Sequence, residues 1–259
     1  MKFAQFPILL TIPLFSAALT GCNSDGQLGA NGLVRFSQVV DFKETDDFTA
    51  PIAENKTVMV ALQHPDNTDT EGLIDPDTYP ELNLTVEASN PLTSGQTFPL
   101  GFAQYAVVLD GSGDFRLRAN NGEDELDYLE VVAKPIEDIR LSAEAVVTTK
   151  TDECSSSSTE SLDDFVLHAN QSLTVYVVPV DDAGAPMLGL LHLSASGEGA
   201  LGLDAPLAGH GASANALQIY PKETELPENE TITIEEISEE LSIELALKLS
   251  NEDQELDCD

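Results

Sequence analysis

The sequence predicts an all-β protein whose 259 residues form two β-sandwich domains behind an N-terminal export segment. Three observations predict this fold: hydrophobic residues alternate with polar ones at a period of two, turn signals separate the alternating runs, and no long run has the 3.6-residue period of a helix. Hydrophobic residues make up 42% of the chain, enough for packed cores despite a formal charge of −35.

The alternation is clearest in five segments, and it places one face of each in a core and the other in water. These segments are 82–88, 115–119, 139–143, 173–177 and 241–249. Turn residues follow several of them, namely Asp110-Gly111-Ser112-Gly113, Asn121-Gly122 and Asp182-Ala183-Gly184.

Two segments need separate consideration. The residues between Glu235 and Leu249 include good helix formers, but five successive alternations favour a strand over a helix there. The serine-rich stretch 154–159 has low complexity and is expected to be an exposed loop.

The N-terminus has the layout of a secretory signal peptide: Lys2, a short apolar run from Phe6 to Phe15, and small residues after it. The run is too short for a membrane span of about 20 residues. The segment Leu19-Thr20-Gly21-Cys22 resembles the lipobox of bacterial lipoproteins. That resemblance implies removal of residues 1–21, acylation of Cys22, and anchoring in the cell envelope. Asn23, in place of an Asp, favours the outer membrane, on its periplasmic or surface face.

Residues 22–32 are therefore expected to be the lipidated cysteine and a flexible, glycine-rich tether. A random chain of this length spans only about 18 Å, so the folded part should lie close to the lipid.

Two regions resemble bacterial immunoglobulin-like domains. Residues 113–119 and 127–135 resemble a closing strand pair, and residues 136–142 resemble the opening strand of a next domain. Further on, residues 181–189 match the pattern Asp-x-x-Gly-x-Pro-x-x-Gly between two strands. The resemblance implies two tandem immunoglobulin-like sandwiches, at 33–134 and 135–259.

Acylation of Cys22 leaves Cys154 and Cys258. In an exported protein these two thiols are expected to form a disulfide, and the alternative is two unpaired thiols.

The excess of 46 acidic over 11 basic residues excludes electrostatic binding to nucleic acid. Clustered carboxylates suit Ca²⁺, so the weak calcium candidates are the acids of two segments, although solvated charge is the default interpretation. The candidates are Asp66, Asp69, Asp75, Asp77, Asp110 and Asp114. An EF-hand is rejected because Phe115 and Asn121 occupy its glycine and glutamate positions.

Catalytic spacing is missing from the sequence. Gly197–Gly202 matches G-x-G-x-x-G, but the glycines and proline that follow would interrupt the helix that a dinucleotide site needs. The four histidines, at 64, 168, 192 and 210, show no zinc spacing, and there is no G-x-S-x-G elbow and no Trp. The sequence thus predicts a non-enzymatic, lipid-anchored envelope protein, without a cofactor, whose role is structural or is the binding of another envelope or extracellular protein. A calcium- or ligand-binding surface module is the alternative, and a hydrolase ranks third.

Overall fold

The computed structural model describes residues 26–40, 42, 44–45, 48–66, 72–75, 77–151, 154–204, 215–223 and 225–256. The prediction of an all-β fold with two sandwiches is confirmed, because the described residues form nineteen strands in four sheets and no helix. Within those ranges there is accordingly no helix long and apolar enough to span a membrane. The signal peptide and Cys22 lie outside the described residues.

The first sandwich packs a five-stranded sheet, of order β1-β2-β4-β7-β6, against a four-stranded sheet of order β3-β9-β8-β5. Short β3 pairs in parallel with β9, while the other pairings are antiparallel. Its strands are β1 Gln27–Leu28, β2 Arg35–Gln38, β3 Ile52–Ala53, β4 Thr57–Gln63, β5 Leu82–Ala88, β6 Ser94–Gly101, β7 Gln104–Asp110, β8 Gly113–Asn121 and β9 Asp124–Lys134.

The second sandwich repeats this plan. One sheet has the order β12-β11-β14-β17-β16, with β10 also paired to β14, and the facing sheet has the order β13-β19-β18-β15. Its strands are β10 Asp138–Leu141, β11 Glu144–Lys150, β12 Ser155–Ser161, β13 Val166–His168, β14 Gln171–Val180, β15 Leu193–Ser196, β16 Leu201–Asp204, β17 Ala216–Pro221, β18 Asn229–Glu236 and β19 Leu241–Ser250.

Each sandwich encloses its own apolar core, built from the inward positions of the alternating strands. Phe36, Phe115 and Leu117 are fully buried in the first core, and Leu173, Leu217 and Ile219 are fully buried in the second. The predicted alternations at 82–88, 115–119, 173–177 and 241–249 all lie within strands, as do residues 139–141. The predicted turns follow β7, β8 and β14.

The predicted tether is too long, because residues 26–32 belong to the fold. Gln27 and Leu28 form β1 and pair with β2. The turn that follows is fastened to β9 by the buried carboxylate of Asp127, which accepts hydrogen bonds from the backbone N–H groups of Asn31 at 2.7 Å and Leu33 at 2.7 Å. Sequence composition could not show this, because the carboxylate that orders the glycine-rich turn comes from almost a hundred residues away.

Two local predictions had different outcomes. The strand interpretation near the C-terminus is confirmed, since β19 covers Leu241–Ser250 after a turn that follows β18. The expectation of an exposed loop at 154–159 is wrong, because Ser155–Ser161 form the strand β12 with every residue exposed. Its pairing is made by the backbone, antiparallel to β11, so serine side chains do not prevent it.

Candidate functional sites

The two sandwiches are joined by backbone hydrogen bonds as well as by the connecting chain. Residues after β14 cross over to the first sandwich, where Leu188 donates its N–H to the carbonyl of Pro51 at 2.9 Å and accepts from the N–H of Ala53 at 2.7 Å. Leu190 donates in turn to Thr57 at 2.9 Å. The Leu188 side chain is fully buried in the first core. A segment of the second half of the chain therefore completes the first sandwich.

The Asp-x-x-Gly-x-Pro-x-x-Gly segment forms this junction. Asp181 caps the turn, with one carboxylate oxygen accepting from the N–H groups of Ala183 and Ala185, while the other accepts from Lys134 Nζ at 2.6 Å. The Lys134 ammonium and the backbone donors lower the pKa of the Asp181 carboxyl. At the far end Gly189 has a φ of 158°, and a Cβ there would lie 2.9 Å from Lys56 Cβ, so a side chain would separate the two sandwiches.

A buried ion pair lies beside Gly189. Lys56 Nζ is 2.9 Å from Glu236 Oε1 and 3.0 Å from Glu239 Oε1, and the side chains of Lys56 and Glu236 are 5% and 0% exposed. Lys56 also donates to the Ser238 hydroxyl at 2.6 Å. The ammonium from the first sandwich is therefore enclosed by acceptors from the second.

The electrostatics of Glu236 favour its ionised form. Burial acts to raise the pKa of this carboxyl, but the N–H of His192 and the Lys56 ammonium oppose it, and with Ser238 and the N–H of Glu239 they lower the pKa to about 2. Since an unperturbed carboxyl has a pKa of 4.5, ionised Glu236 stabilises the folded protein above pH 4.5, and that contribution is lost as the pH falls towards 2.

The strand β12 leaves one sheet edge open among the described residues. Leu162 N bonds to Ala143 O and Thr151 N bonds to Cys154 O, one at each end of the β11–β12 pair. In an antiparallel pair the bonded positions alternate, so the N–H and C=O groups of Ser155, Ser157, Thr159 and Ser161 point away from β11. The edge offers unpaired backbone groups to an added strand.

The C-terminal segment folds back over the outer face of the second sandwich. Asn170 makes two hydrogen bonds with the backbone of Gln254, at 3.0 Å and 2.9 Å. Between this segment and β11, β14 and β17 lies an open groove of about 1230 Å³, lined mainly by polar side chains. Thr151 and Leu256 both line the groove, and Thr151 N bonds to Cys154 O at 2.9 Å. Cys154 is therefore hydrogen-bonded to a residue of the groove that Leu256, the last described residue, also lines.

The structure describes five of the six weak calcium candidates. Asp75 accepts from the N–H of Asp77 and the hydroxyl of Thr78, so it caps its own turn, and Asp110 accepts from Ser94. Asp66 lies near His64, and Asp114 belongs to β8. Asp69 lies outside the described residues. Within the described ranges no three His, Cys, Asp or Glu side chains are grouped to hold a metal ion.

The remaining motifs of the sequence lie apart from one another. The Gly197–Gly202 segment connects β15 to β16 and enters β16, and the N–H of Gly199 bonds to the Glu230 carboxylate. His192 contributes only a backbone donor to Glu236, and His168 contacts the carbonyl of Glu252. His210 lies outside the described residues.

Comparison with family models and with curated protein sequences gives no match. Three solved structures illustrate the structural likenesses. Surface layer protein SbsC domains 4–9 is 13% identical over 78% of this chain, with a TM-score of 0.29, and the bacterial integrin-binding protein invasin is 15% identical over 85%, with a TM-score of 0.29. A glycosyl hydrolase family 2 member from Bacteroides cellulosilyticus is 13% identical over 82% of this chain, with a TM-score of 0.28. The chain spans only 30%, 41% and 24% of those structures. At these TM-scores the likenesses carry no argument about the function of this chain.

Sequence reasoning missed the residues that hold the junction. Lys56 and Glu236 are 180 positions apart, and Glu236 stands in an acid-rich run in which no local feature distinguishes it from its solvated neighbours. Gly189, the last residue of the Asp-x-x-Gly-x-Pro-x-x-Gly pattern, was a usable signal of the junction, because a glycine between apolar residues indicates a close approach of another backbone.

Replacing the buried ammonium tests the junction. Lys56→Met should lower the free energy of unfolding by about 3–5 kcal/mol, because it leaves the Glu236 carboxylate buried without its cation. Urea unfolding of the full chain at neutral pH measures the change, and the difference should shrink as the pH falls from 4.5 towards 2. Lys248→Met removes an exposed ion pair with Asp164 and should cost less than about 1 kcal/mol. Equal stability of the Lys56→Met and Lys248→Met proteins contradicts the structural role of the pair.

The predicted disulfide stays a prediction, because Cys258 lies outside the described residues. Mass spectrometry without reductant should find the peptide containing Cys154 linked to the one containing Cys258. Cys258→Ser should then lower stability by roughly 4–5 kcal/mol, since the cross-link closes a loop of about a hundred residues. Reductant should destabilise the parent protein and leave the variant unchanged. Two separately alkylated cysteine peptides from the untreated protein would refute the pairing.

Proposed function

We propose that this chain is a lipid-anchored protein of the bacterial cell envelope, held at the outer membrane through Cys22, and that it acts by binding other proteins and not by catalysis. The body would be a stiff acidic scaffold that presents sheet edges and loops to a partner in the envelope or outside the cell. The observation that carries this proposal is the junction: the two sandwiches share backbone hydrogen bonds, a core residue and a buried ion pair.

Stiffness matters because domains joined only by a linker move independently by default. Here, Leu188 and the pair of Lys56 with Glu236 fasten the second sandwich to the first. In a stiff body the position of the anchored end fixes the position of the distant surfaces, and this suits a structural or recognition role. The carboxylates that are buried, such as Asp127, Asp181 and Glu236, are engaged in holding turns and the junction.

The anchoring half of the proposal is tested at the lipobox. Cys22→Ala should leave the protein without acyl chains, so it should move from the membrane fraction to the soluble fraction, because stable anchoring of a soluble body needs lipid. Asn23→Ala keeps the cysteine and should stay in the membrane fraction. Ultracentrifugation after high-salt washing distinguishes these results. Unchanged membrane association of Cys22→Ala contradicts the anchoring.

The binding half is tested at the open edge of β12. Thr159→Pro removes an outward N–H and should block the addition of a partner strand while the β11–β12 pairing persists, because proline is tolerated where the N–H faces solvent. Thr159→Val keeps that N–H and serves as the matched control. Quantitative pull-downs from detergent-solubilised envelopes should show a partner that is retained by the parent and Thr159→Val but reduced with Thr159→Pro. Recovery of no partner above background by the parent protein contradicts the binding role.

A further inference from the structure

One end of the first sandwich exposes a cluster of large apolar side chains. They come from the β1–β2 hairpin, from the residues before Ile74 and from the β6–β7 hairpin. We call this surface the apolar end, and it consists of Leu28, Leu33, Leu73, Leu100 and Phe102, each between 36% and 53% exposed.

The register of the sheet brings these segments together. Leu28 pairs with Arg35, Arg35 pairs with Gln63, and Gln63 pairs with Leu73. These four residues form a row of paired positions at one end of the sheet. Leu62 N donates to Ala103 O at 2.8 Å, which fixes the tip of the β6–β7 hairpin beside that row. With strands about 4.8 Å apart, the row from β1 to β6 is about 19 Å wide.

The clustering is uneven over the molecule. Among the described residues, nine large hydrophobic side chains are exposed, and five of them are at this end. The others, Leu92, Phe98, Val132 and Ile237, lie elsewhere. Leu92 precedes β6 at the opposite end of that strand, next to the Gly111 turn. Single exposed apolar residues need no explanation, but a contiguous group of them marks a contact surface.

The distance to the lipidation site indicates what this surface contacts. β1 begins at Gln27 and Leu28 belongs to the apolar end, so the chain enters the fold beside it. Cys22 precedes Gly26 by only four positions, and that length of chain can span at most about 14 Å. The first sandwich must therefore rest close to the bilayer that holds the acyl chains, and the apolar end is the nearest exposed apolar surface.

The charges around this end select the kind of lipid. Asp66, Asp75 and Asp77 are close in sequence to Leu73 of the apolar end. The nearby guanidinium of Arg35 donates hydrogen bonds to the carbonyls of Gly26 and Pro65. An acidic rim is repelled by anionic headgroups within a Debye length of about 8–10 Å. A surface without net charge leaves the apolar contact unopposed.

We propose that the apolar end lies against a zwitterionic phospholipid surface, with Leu100 and Phe102 inserted at the level of the headgroups beside the acyl chains on Cys22. This inference rests on the proposed acylation. Side chains that bind in this way lie about 5–10 Å into the boundary between headgroups and acyl chains. The lipid surface would then fix the orientation of the body as well as its attachment.

The absence of Trp from the chain permits a direct test. Phe102→Trp places a single indole at the apolar end, and Leu92→Trp places one at the opposite end of β6 as the matched control. Both full-length proteins are purified in lipidated form and reconstituted into vesicles of phosphatidylcholine brominated on its acyl chains. The Phe102→Trp protein should lose at least about half of its indole emission and shift to the blue, because an indole at the interface lies within reach of the bromines. The Leu92→Trp protein should keep its emission.

Three results would overturn the inference. If mass spectrometry shows that Cys22 is acylated, equal emission from the two variants overturns the lipid contact alone. An unmodified Cys22 overturns the anchoring and this inference together. Shielding of the Phe102→Trp indole from a soluble quencher in native envelopes, without quenching by brominated lipid, shows that a protein covers the apolar end. In the Phe102→Trp protein, Leu100→Ser should reduce the quenching if the lipid contact is real, because it removes a neighbouring apolar side chain.

Discussion

The ammonium of Lys56 is buried, and the side chains that bind it all belong to the other sandwich. Its ammonium meets Glu236, Glu239 and Ser238, beside the point where Gly189 allows the two backbones to approach. A buried ion without partners is far more costly than an unmade apolar contact, so the relative position of the sandwiches is specified at this point. Leu188 adds a side chain packed in the first core and two backbone hydrogen bonds to the same junction.

The acidity of the chain has two physical meanings. Most carboxylates are exposed and provide solubility through a large net charge. A few are buried and hydrogen-bonded, and these stabilise the fold: Asp127 orders the β1–β2 turn, Asp181 caps the turn after β14, and Glu236 receives Lys56. A charge of −35 therefore describes the surface, while the fold depends on a few buried carboxylates that composition cannot distinguish from the rest.

The exposed surfaces differ in what they can contact. The β12 edge offers backbone groups and small polar side chains, which suit a strand of another protein. The apolar end of the first sandwich offers aromatic and aliphatic side chains near the chain entry at Gly26, which suits a lipid surface. With the stiff junction between them, attachment at one end would determine where the other surface is presented.

The sequence by itself determined the secondary structure, because alternation and turn chemistry are properties of neighbouring residues. β5, β8, β14 and β19 could be read from their period of two, and the turns after β7, β8 and β14 from their glycines. Only the tertiary structure decided which residues meet across long separations. Lys56 contacts Glu236, and Asp127 orders the segment expected to be a tether. Each of these depends on a partner supplied by the fold, and a local pattern holds no information about a partner a hundred residues away.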